Sequence, residues 1–477
     1  MEHEDVIIGL EIHCQLNTKS KLFCGCSTDF RDDEPNTHTC PVCLGLPGSM
    51  PVVNKKVIEF AMRVAKALNC TVLEECDFSR KNYFYPDLNK AYQITQYDRP
   101  LAEWGKLMIE GEDGERDIRI TRIHVEEDPG RSVHMGTTDR GKYTLIDYNR
   151  AGIPLIEIVT EPDLKSPKEA RRFLNKLRAT LEYLNVFDSE KEGSLRVDAN
   201  ISLKGSGRVE VKNISSYKGV EKALTFEITR QRNVIRRGQV VARETRHFLE
   251  ARGVTTSSRS KEEENDYRYF PEPDLLPMQV SDWVDGISLP ELPDARRERF
   301  MQQYSCSLEH ARTLTGGLKL AEFYEEVAKT DAGLAATWTA DYLLGELNYR
   351  DFSIDAMPPA HFIDLITLLK SDTITDKSGV EILRTILDQV KTGEKPEMPT
   401  KIVGRLGLAK TGGDEISGMV REVIAENPQP VADYHAGKGP ALNFLVGQVM
   451  KKCRGRADPG HLNVLLREEL DKLQGVE

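Results

Sequence analysis

Residues 6 to 16, Val-Ile-Ile-Gly-Leu-Glu-Ile-His-Cys-Gln-Leu, alternate with period two, so Glu11, His13 and Gln15 share one face opposite Val6, Ile8, Leu10, Ile12, Cys14 and Leu16. A Glu and a His two apart on the polar face of an apolar strand can bind a metal or handle protons, or can simply line a half-solvated sheet. The pattern recurs. Residues 194 to 203 set Arg196, Asp198, Asn200 and Ser202 opposite Leu195, Val197, Ala199, Ile201 and Leu203, and residues 208 to 212 repeat it with Glu210 and Lys212. The run 118 to 128 ends in the acids Glu126, Glu127 and Asp128, and Leu155-Ile-Glu-Ile-Val159 holds Glu157 between apolar neighbours. A carboxylate inside an apolar run is costly unless something positive meets it. Collected, Glu11, His13, Glu126 or Glu127, Glu157 and Asp198 make an oxygen-rich set with one imidazole, suited to Mg²⁺ that keeps waters and holds nucleotide phosphates. The sequence has no Gly-x4-Gly-Lys-[Ser/Thr] loop and no usable Gly-x-Gly-x-x-Gly after a strand. An antiparallel sheet presenting carboxylates on a concave face can bind Mg-ATP without such a loop.

A second constellation is Cys24-Gly-Cys26, then thirteen residues, then Cys40-Pro-Val-Cys43-Leu-Gly45. The later pair has the turn of a zinc knuckle, two thiols at i and i+3 with a Gly just beyond. Four thiolates leave no open coordination position, so Zn²⁺ on Cys24, Cys26, Cys40 and Cys43 would be structural; His38 is a possible substitute ligand, and free thiols are the alternative reading. Seven of the nine cysteines lie in the first 76 residues, a distribution that points to reduced thiols and a metal rather than a disulfide framework.

Two further segments could meet a nucleotide or nucleic acid. Arg80-Lys-Asn-Tyr-Phe-Tyr-Pro-Asp87, with Lys90, Tyr92 and Gln93 following, interleaves aromatics and cations that stack on bases and pair with phosphates, or forms a core strand with basic edges. Asp147-Tyr-Asn-Arg150-Ala-Gly-Ile-Pro154 reads as a turn presenting Asn149 and Arg150 ahead of Glu157.

The elements that must position these residues follow from composition. At 477 residues about three domains are expected. With 39% apolar and 30% charged residues the chain is globular. It has no apolar run of ~18 residues and no basic leader ahead of its first strand, so it reads as cytoplasmic, with no membrane partner. The net charge of −11 excludes coating of nucleic acid by bulk electrostatics, though not local basic patches. Up to about residue 290 strand and turn patterns alternate with few helices. Ser166-Pro-Lys-Glu169 is a capping box ahead of Phe173, Leu174, Leu177, Leu181 and Leu184 at helical spacing, and a second helix is expected from about Tyr217 toward Gly238. Glu250 to Asp266, charged and Ser/Thr-rich, reads as an exposed loop or flap. Beyond Pro293 the pattern is helix after helix, with a weaker boundary near residues 404 to 413. The expected architecture is α+β: a catalytic domain at 1–293 with an N-terminal zinc knuckle and a mostly antiparallel sheet, an all-α domain at 294–405 and a small helical tail at 406–477.

Six motifs then carry a resemblance: Ile8-Gly-Leu-Glu-Ile-His13, Arg80-Lys-Asn-Tyr-Phe-Tyr-Pro86, His124-Val-Glu-Glu-Asp128, Asn149-Arg-Ala-Gly-Ile-Pro-Leu-Ile-Glu157, Gly193-Ser-Leu-Arg-Val-Asp-Ala-Asn200 and Asp266-Tyr-Arg-Tyr-Phe-Pro-Glu-Pro273. Together with Leu442-Asn-Phe-Leu-Val-Gly-Gln-Val-Met450, they resemble the GatB/GatE family of aspartyl/glutamyl-tRNA amidotransferase components over essentially the whole chain. The resemblance implies a cradle domain similar to the glutamine synthetase and guanido-kinase fold. It also implies ATP- and Mg²⁺-dependent amidation of misacylated Glu-tRNA(Gln) or Asp-tRNA(Asn). The implied partners are a glutaminase of amidase type, which supplies ammonia, and a small third component. By the same resemblance His13, Glu127 and Glu157 are Mg²⁺ ligands with Glu11 beside them, and Glu127 is favoured over Glu126. Asp198 and Asn200 are weaker candidates, Lys81 and Arg150 phosphate contacts, and Lys438, Lys451, Lys452, Arg454 and Arg456 tRNA contacts of the tail. The four-cysteine site occurs in some members of that family and not others. Two rival readings are a tRNA-positioning scaffold without kinase chemistry and the paralogous archaeal protein specific for Glu-tRNA(Gln), whose inserted middle domain does not fit the short interval between Asp198 and Asp274.

Overall fold

The computed structural model describes residues 5–474 except 113, 136–142, 192, 215, 259–266 and 454. The chain divides into two compact units, Met1–Pro293 and Asp294–Glu477.

The first unit is built on one nine-stranded sheet. Its strands in chain order are β1 (Val6–Gln15), β2 (Thr71–Val72), β3 (Ala102–Glu110), β4 (Glu115–Glu127), β5 (Pro154–Thr160), β6 (Leu195–Leu203), β7 (Val209–Ile214), β8 (Glu244–Leu249) and β9 (Val254–Ser257). Their order across the sheet is β9-β8-β7-β6-β1-β5-β4-β3-β2. Neighbours run antiparallel except β7 and β8, which run parallel. Part of the expected 250–266 flap is thus the edge strand β9, paired with β8 from Leu249↔Val254 to Arg246↔Ser257; residues 259–266 lie outside those described.

Alternation gives this sheet two unlike faces. Val6, Ile8, Leu10, Ile12 and Cys14 of β1 are essentially inaccessible and join one apolar cluster with residues of three helices. These are α1 (Lys55–Ala67), α2 (Pro167–Tyr183) and α3 (Tyr217–Arg236). Each helix starts where a polar side chain caps it. Asn54 accepts from the Lys56 N–H at 2.9 Å, Ser166 from Glu169 at 3.2 Å, and Ser216 from Gly219 at 2.9 Å. The Glu169 carboxylate reaches back past the cap and accepts from the Lys165 N–H at 2.8 Å, one residue before the Ser166 N–H that a capping box would use. Phe173, Leu174, Leu177 and Leu181 of α2 are fully buried, and each such side chain contributes ~1.5–3 kcal/mol of burial. The helices cover one face of the sheet; Glu11 and His13 of β1, His124 and Glu126 of β4, Glu157 of β5, Asp198 and Asn200 of β6 and Glu210 and Lys212 of β7 lie on the other.

A small three-stranded sheet, Ser79–Asn82 with Tyr92–Thr95 and Phe270–Pro271, carries the aromatic and basic motif. Among the described residues of the second unit the elements are helices, with one isolated β-bridge between Ile374 and Ala409. Its last four helices, Gly413–Glu426, Pro428–His435, Pro440–Lys452 and Pro459–Gln474, share a core that includes Val420, Leu445, Val449, Leu462 and Leu466. Among the described residues no helix is long and apolar enough to cross a membrane.

Candidate active site

Register across the central strands assembles the site. His13 on β1 stands opposite Glu157 on β5 and Arg196 on β6. Glu157 in turn faces His124 on β4. Glu11 stands opposite Asp198, and Asn200 opposite Glu210. Residues separated by more than a hundred positions thereby become neighbours on one face.

Two donor clusters result. In the first, His13 Nε2 lies 3.5 Å from Glu126 Oε1 and 3.4 Å from Glu157 Oε2, and one ligand atom from each residue falls within 4.8 Å of the others. His124, buried beside them, places Nε2 3.0 Å from Glu157 Oε2 and 3.7 Å from Glu126 Oε2. In the second, carboxylate oxygens of Glu11, Asp198 and Glu210 lie within 4.8 Å of one another. Asn200 donates to Glu11 at 2.8 Å and Thr245 to Glu210 at 2.9 Å. The Lys212 ammonium stands 3.3 Å from Asp198 and 3.6 Å from Glu210.

The electrostatics of the two clusters differ. Burial would raise the Glu157 carboxyl, but His124 and His13 outweigh it and hold Glu157 well below the usual range. Burial works against charge on His13 too, yet Glu157 and Glu126 push it up to about 9. Glu11 goes the other way, raised by burial and then by Glu157, Glu210 and Asp198. That crowding of like charge is what a divalent cation relieves.

A cavity of about 800 Å³ opens over this face. Its lining includes Glu11, His124, Glu126, Glu157 and Glu210 as well as Lys81, Arg122, Arg208 and Arg243, with Tyr83, Tyr267 and Tyr269. Tyr269 stacks on Tyr97 at 4.0 Å between ring centroids, and the Lys81 ammonium sits 4.8 Å from the Tyr267 ring centre. An adjoining recess of about 450 Å³ contains His13, Asp198 and Arg196.

Not every expected residue comes to this place. Glu127 is corrected: it projects from the opposite face of β4, where it is buried in an ion pair with Lys90 and accepts the Ile94 N–H at 2.9 Å. Glu126, two residues from His124 and so on its face, is the acid that meets His13. Arg150 is also corrected, since its guanidinium donates to the carbonyls of Pro129 and Gly130 at 3.1 and 2.7 Å and lies 3.5 Å from Asp128, bracing a turn. Lys81, Asp198 and Asn200 do lie at the cavity or the second cluster. His124 and Glu210 are site residues to which the sequence assigned no role; their signal was the i, i+2 relation to Glu126 and Lys212.

Residues 6–285 match the GatB/GatE catalytic domain. Residues 322–470 match the GatB domain, so the two matches span most of the chain. The chain belongs to the GatB/GatE family. Its curated relatives include proteins named as the B component of aspartyl/glutamyl-tRNA(Asn/Gln) amidotransferase. That of Methanospirillum hungatei is 81% identical over 472 residues, covering 99% of this chain and 100% of the relative. Those of Methanoregula boonei and Haloquadratum walsbyi are 71% and 53% identical, over 97% and 98% of this chain and 97% of each relative.

This GatB/GatE chain also gathers its four N-terminal thiols. Sulfur atoms of Cys24, Cys26, Cys40 and Cys43 lie within 4.8 Å of one another, a donor set that fits tetrahedral zinc. The Cys24 hydrogen bond, then the ammonium of wholly buried Lys21, lower the Cys43 thiol to about 5. The Lys21 ammonium itself lies 3.7 Å from Cys43 Sγ and donates to the His38 carbonyl at 2.7 Å. The His38 ring instead pairs with Asp33 at 2.6 Å. In the tail of this family member, Lys438 pairs with Asp433 at 2.9 Å, and Lys452 with Glu422 and Glu426 at 3.0 and 2.9 Å. Arg456 donates to the carbonyls of Cys453 and Gly407, Lys451 is exposed, and Arg454 lies outside the described residues.

Proposed function

We propose that the chain is the kinase and transamidase component of a tRNA-dependent amidotransferase. In this reading the side-chain carboxylate of misacylated Glu-tRNA(Gln) or Asp-tRNA(Asn) attacks the γ-phosphorus of ATP, releasing ADP and leaving an acyl phosphate. Ammonia then attacks the acyl carbon, phosphate departs, and the nitrogen loses a proton to give the amide. Activation is needed because a carboxylate oxygen is a very poor leaving group, and the charge spread over the phosphoryl oxygens must be met by fixed cations.

One observation carries this reading: the histidine-bearing and the all-acid clusters lie side by side, lining a cavity and its adjoining recess, and the cavity lining also bears Lys81, Arg122, Arg208 and Arg243. His13, Glu126 and Glu157 would hold one divalent cation, Glu11, Asp198 and Glu210 a second. Bound there, Mg²⁺ supplies neutralisation of phosphoryl charge. The chain's own residues do the rest. His124 orients Glu157 and Glu126, the four cations attract the nucleotide phosphates, and the tyrosines offer a stacking surface for a base. Buried acids of this kind have no use in a mere tRNA scaffold.

The relatives' names, each denoting one component of a larger enzyme, support assembly with other components; by the family resemblance we take these to be a glutaminase of amidase type that supplies ammonia and a small third component. The four-thiol knuckle is read as a structural zinc site, with one zinc per chain the expected result of elemental analysis. The helical tail at 406–477 is read as a tRNA contact; Lys451 is exposed for it, whereas Lys438 and Lys452 would exchange acids for phosphates on binding.

The kinase half-reaction tests the proposal. With the assembled complex, Mg-ATP and no nitrogen donor, ADP release should require the misacylated tRNA and should not occur with tRNA carrying its cognate amide. ADP release that is indifferent to the tRNA would contradict it.

A further inference from the structure

The acids of the second cluster meet a cation of the chain's own, and it is not where a phosphate-binding lysine would rest. Lys212 sits on β7 two residues from Glu210, so both project from the same face. Its ammonium lies 3.3 Å from Asp198 and 3.6 Å from Glu210. Neutral donors, Asn200 and Thr245, also serve Glu11 and Glu210. Lys212 belongs to the lining of both the large cavity and the adjoining recess, so it stands where the two meet. Its side chain is 38% accessible, against 19% for Asp198 and 7% for Glu210. The lysine side chain is thus the more open to the cavity, and the acids are the more enclosed.

We propose that the Lys212 ammonium and a divalent cation are alternative counter-ions for Glu11, Asp198 and Glu210. When the cation arrives with its nucleotide, Lys212 is displaced into the cavity and there meets a phosphoryl oxygen. This rests on the reading of the cluster as a cation site and goes one step further, to how that site is coupled to nucleotide binding.

The physical reason is electrostatic exclusion. A divalent ion bound ~2.1 Å from these oxygens would stand within a few ångströms of an ammonium that also touches two of them. The repulsion between charges of two and one is twice that of a unit pair at the same distance. A four-carbon stem lets the ammonium swing away without disturbing β7. The phosphate that accompanies the ion gives the displaced charge a partner. Between turnovers the lysine keeps three crowded carboxylates tolerable; during turnover it becomes part of the phosphate-binding wall with Lys81, Arg208 and Arg243.

The arrangement predicts opposite signs for two affinities. Mn²⁺ binding to the full complex, followed by electron paramagnetic resonance, should show two classes of site. In Lys212→Met the weaker class should tighten about tenfold while the tighter class, at His13, Glu126 and Glu157, changes less than about twofold. The same variant should bind the Mn²⁺ complex of a non-hydrolysable ATP analogue several-fold more weakly than the parent. Lys212→Gln should reproduce both shifts, and Lys212→Arg, which keeps the charge, should show neither tightening nor loss of that size. A residue of only structural importance would weaken both. Unchanged or weaker binding of the second Mn²⁺ in the Met and Gln variants overturns the proposal. So does absence of a second Mn²⁺ class in every form. The kinase reading itself would survive either result so long as tRNA-dependent ADP release persists.

Discussion

At the scale of the residue, function turns on carboxylates whose burial makes sense only beside cations. Glu157 is buried, flanked by His13 and His124, and held ionised by both. Glu157→Gln keeps the shape and removes the charge, so amidation should fall below detection while tRNA binding stays within a few-fold. Full activity in that variant would remove Glu157 from the metal set. His13 gives a second prediction with a definite sign. Its imidazole is pushed up to about 9 by Glu157 and Glu126 despite burial, and only the neutral ring can ligate. Binding of Mn²⁺ at that cluster must expel a proton, so affinity should climb roughly tenfold per pH unit toward 9 and flatten above it. Affinity that is flat across the neutral to alkaline range would mean His13 is not a ligand. This is also the scale at which the sequence was least sufficient. That Glu126 and Glu127 face opposite ways is plain from alternation, but choosing between them requires knowing that β4 reaches His13 through β5, a long-range fact no local pattern carries. Arg150 misleads for a related reason, since the carbonyls of Pro129 and Gly130 that claim it belong to a distant turn.

At the scale of the element, strand alternation and helix caps are legible because they are local. The cap at Ser166, the helix after Tyr217 and the two faces of β1 and β6 stand as the residue types imply, whereas the expected box is only half formed, since Glu169 bonds the Lys165 N–H and not that of Ser166. Helix α1 is a further element of the same kind, with Val57, Ile58, Ala61, Val64 and Ala65 periodic and buried, whereas β9 reads as loop in the sequence because its four residues are too short and polar a run to stand out. Packing between elements supplies a further test. Gly105 on β3 lies so close to the Cys70–Leu68 turn that a Cβ there would fall 2.1 Å from Cys70 Sγ and 2.8 Å from the Leu68 carbonyl oxygen. Gly105→Ala should therefore lower stability by ~1–3 kcal/mol in denaturant melts. Adding Cys70→Ala should recover part of that loss and not all, because the backbone carbonyl remains. A neutral Gly105→Ala would show that the β3 edge yields more readily than described.

At the scale of the whole molecule, the division at Pro293 and Asp294 separates a unit that carries the acids, the cavity and the thiol cluster from one that is helical and bears the second family match. The shift from strand-rich to helix-rich sequence makes that division readable. The family is readable for a different reason: its motifs are contiguous and long enough to be recognised, and register then brings the acids and histidines of several of them to one face. The central claim is that this face activates the carboxylate of a misacylated tRNA for amidation. It is tested most directly by measuring Gln-tRNA and Asn-tRNA formed from Glu-tRNA(Gln) and Asp-tRNA(Asn). The assay uses the chain assembled with the glutaminase proposed as its partner and Mg-ATP, with glutamine or ammonium as nitrogen donor. The predicted result is amidated tRNA from either donor, strictly dependent on ATP. Bound tRNA with neither product nor ADP release, in a complex whose glutaminase is active, would contradict it.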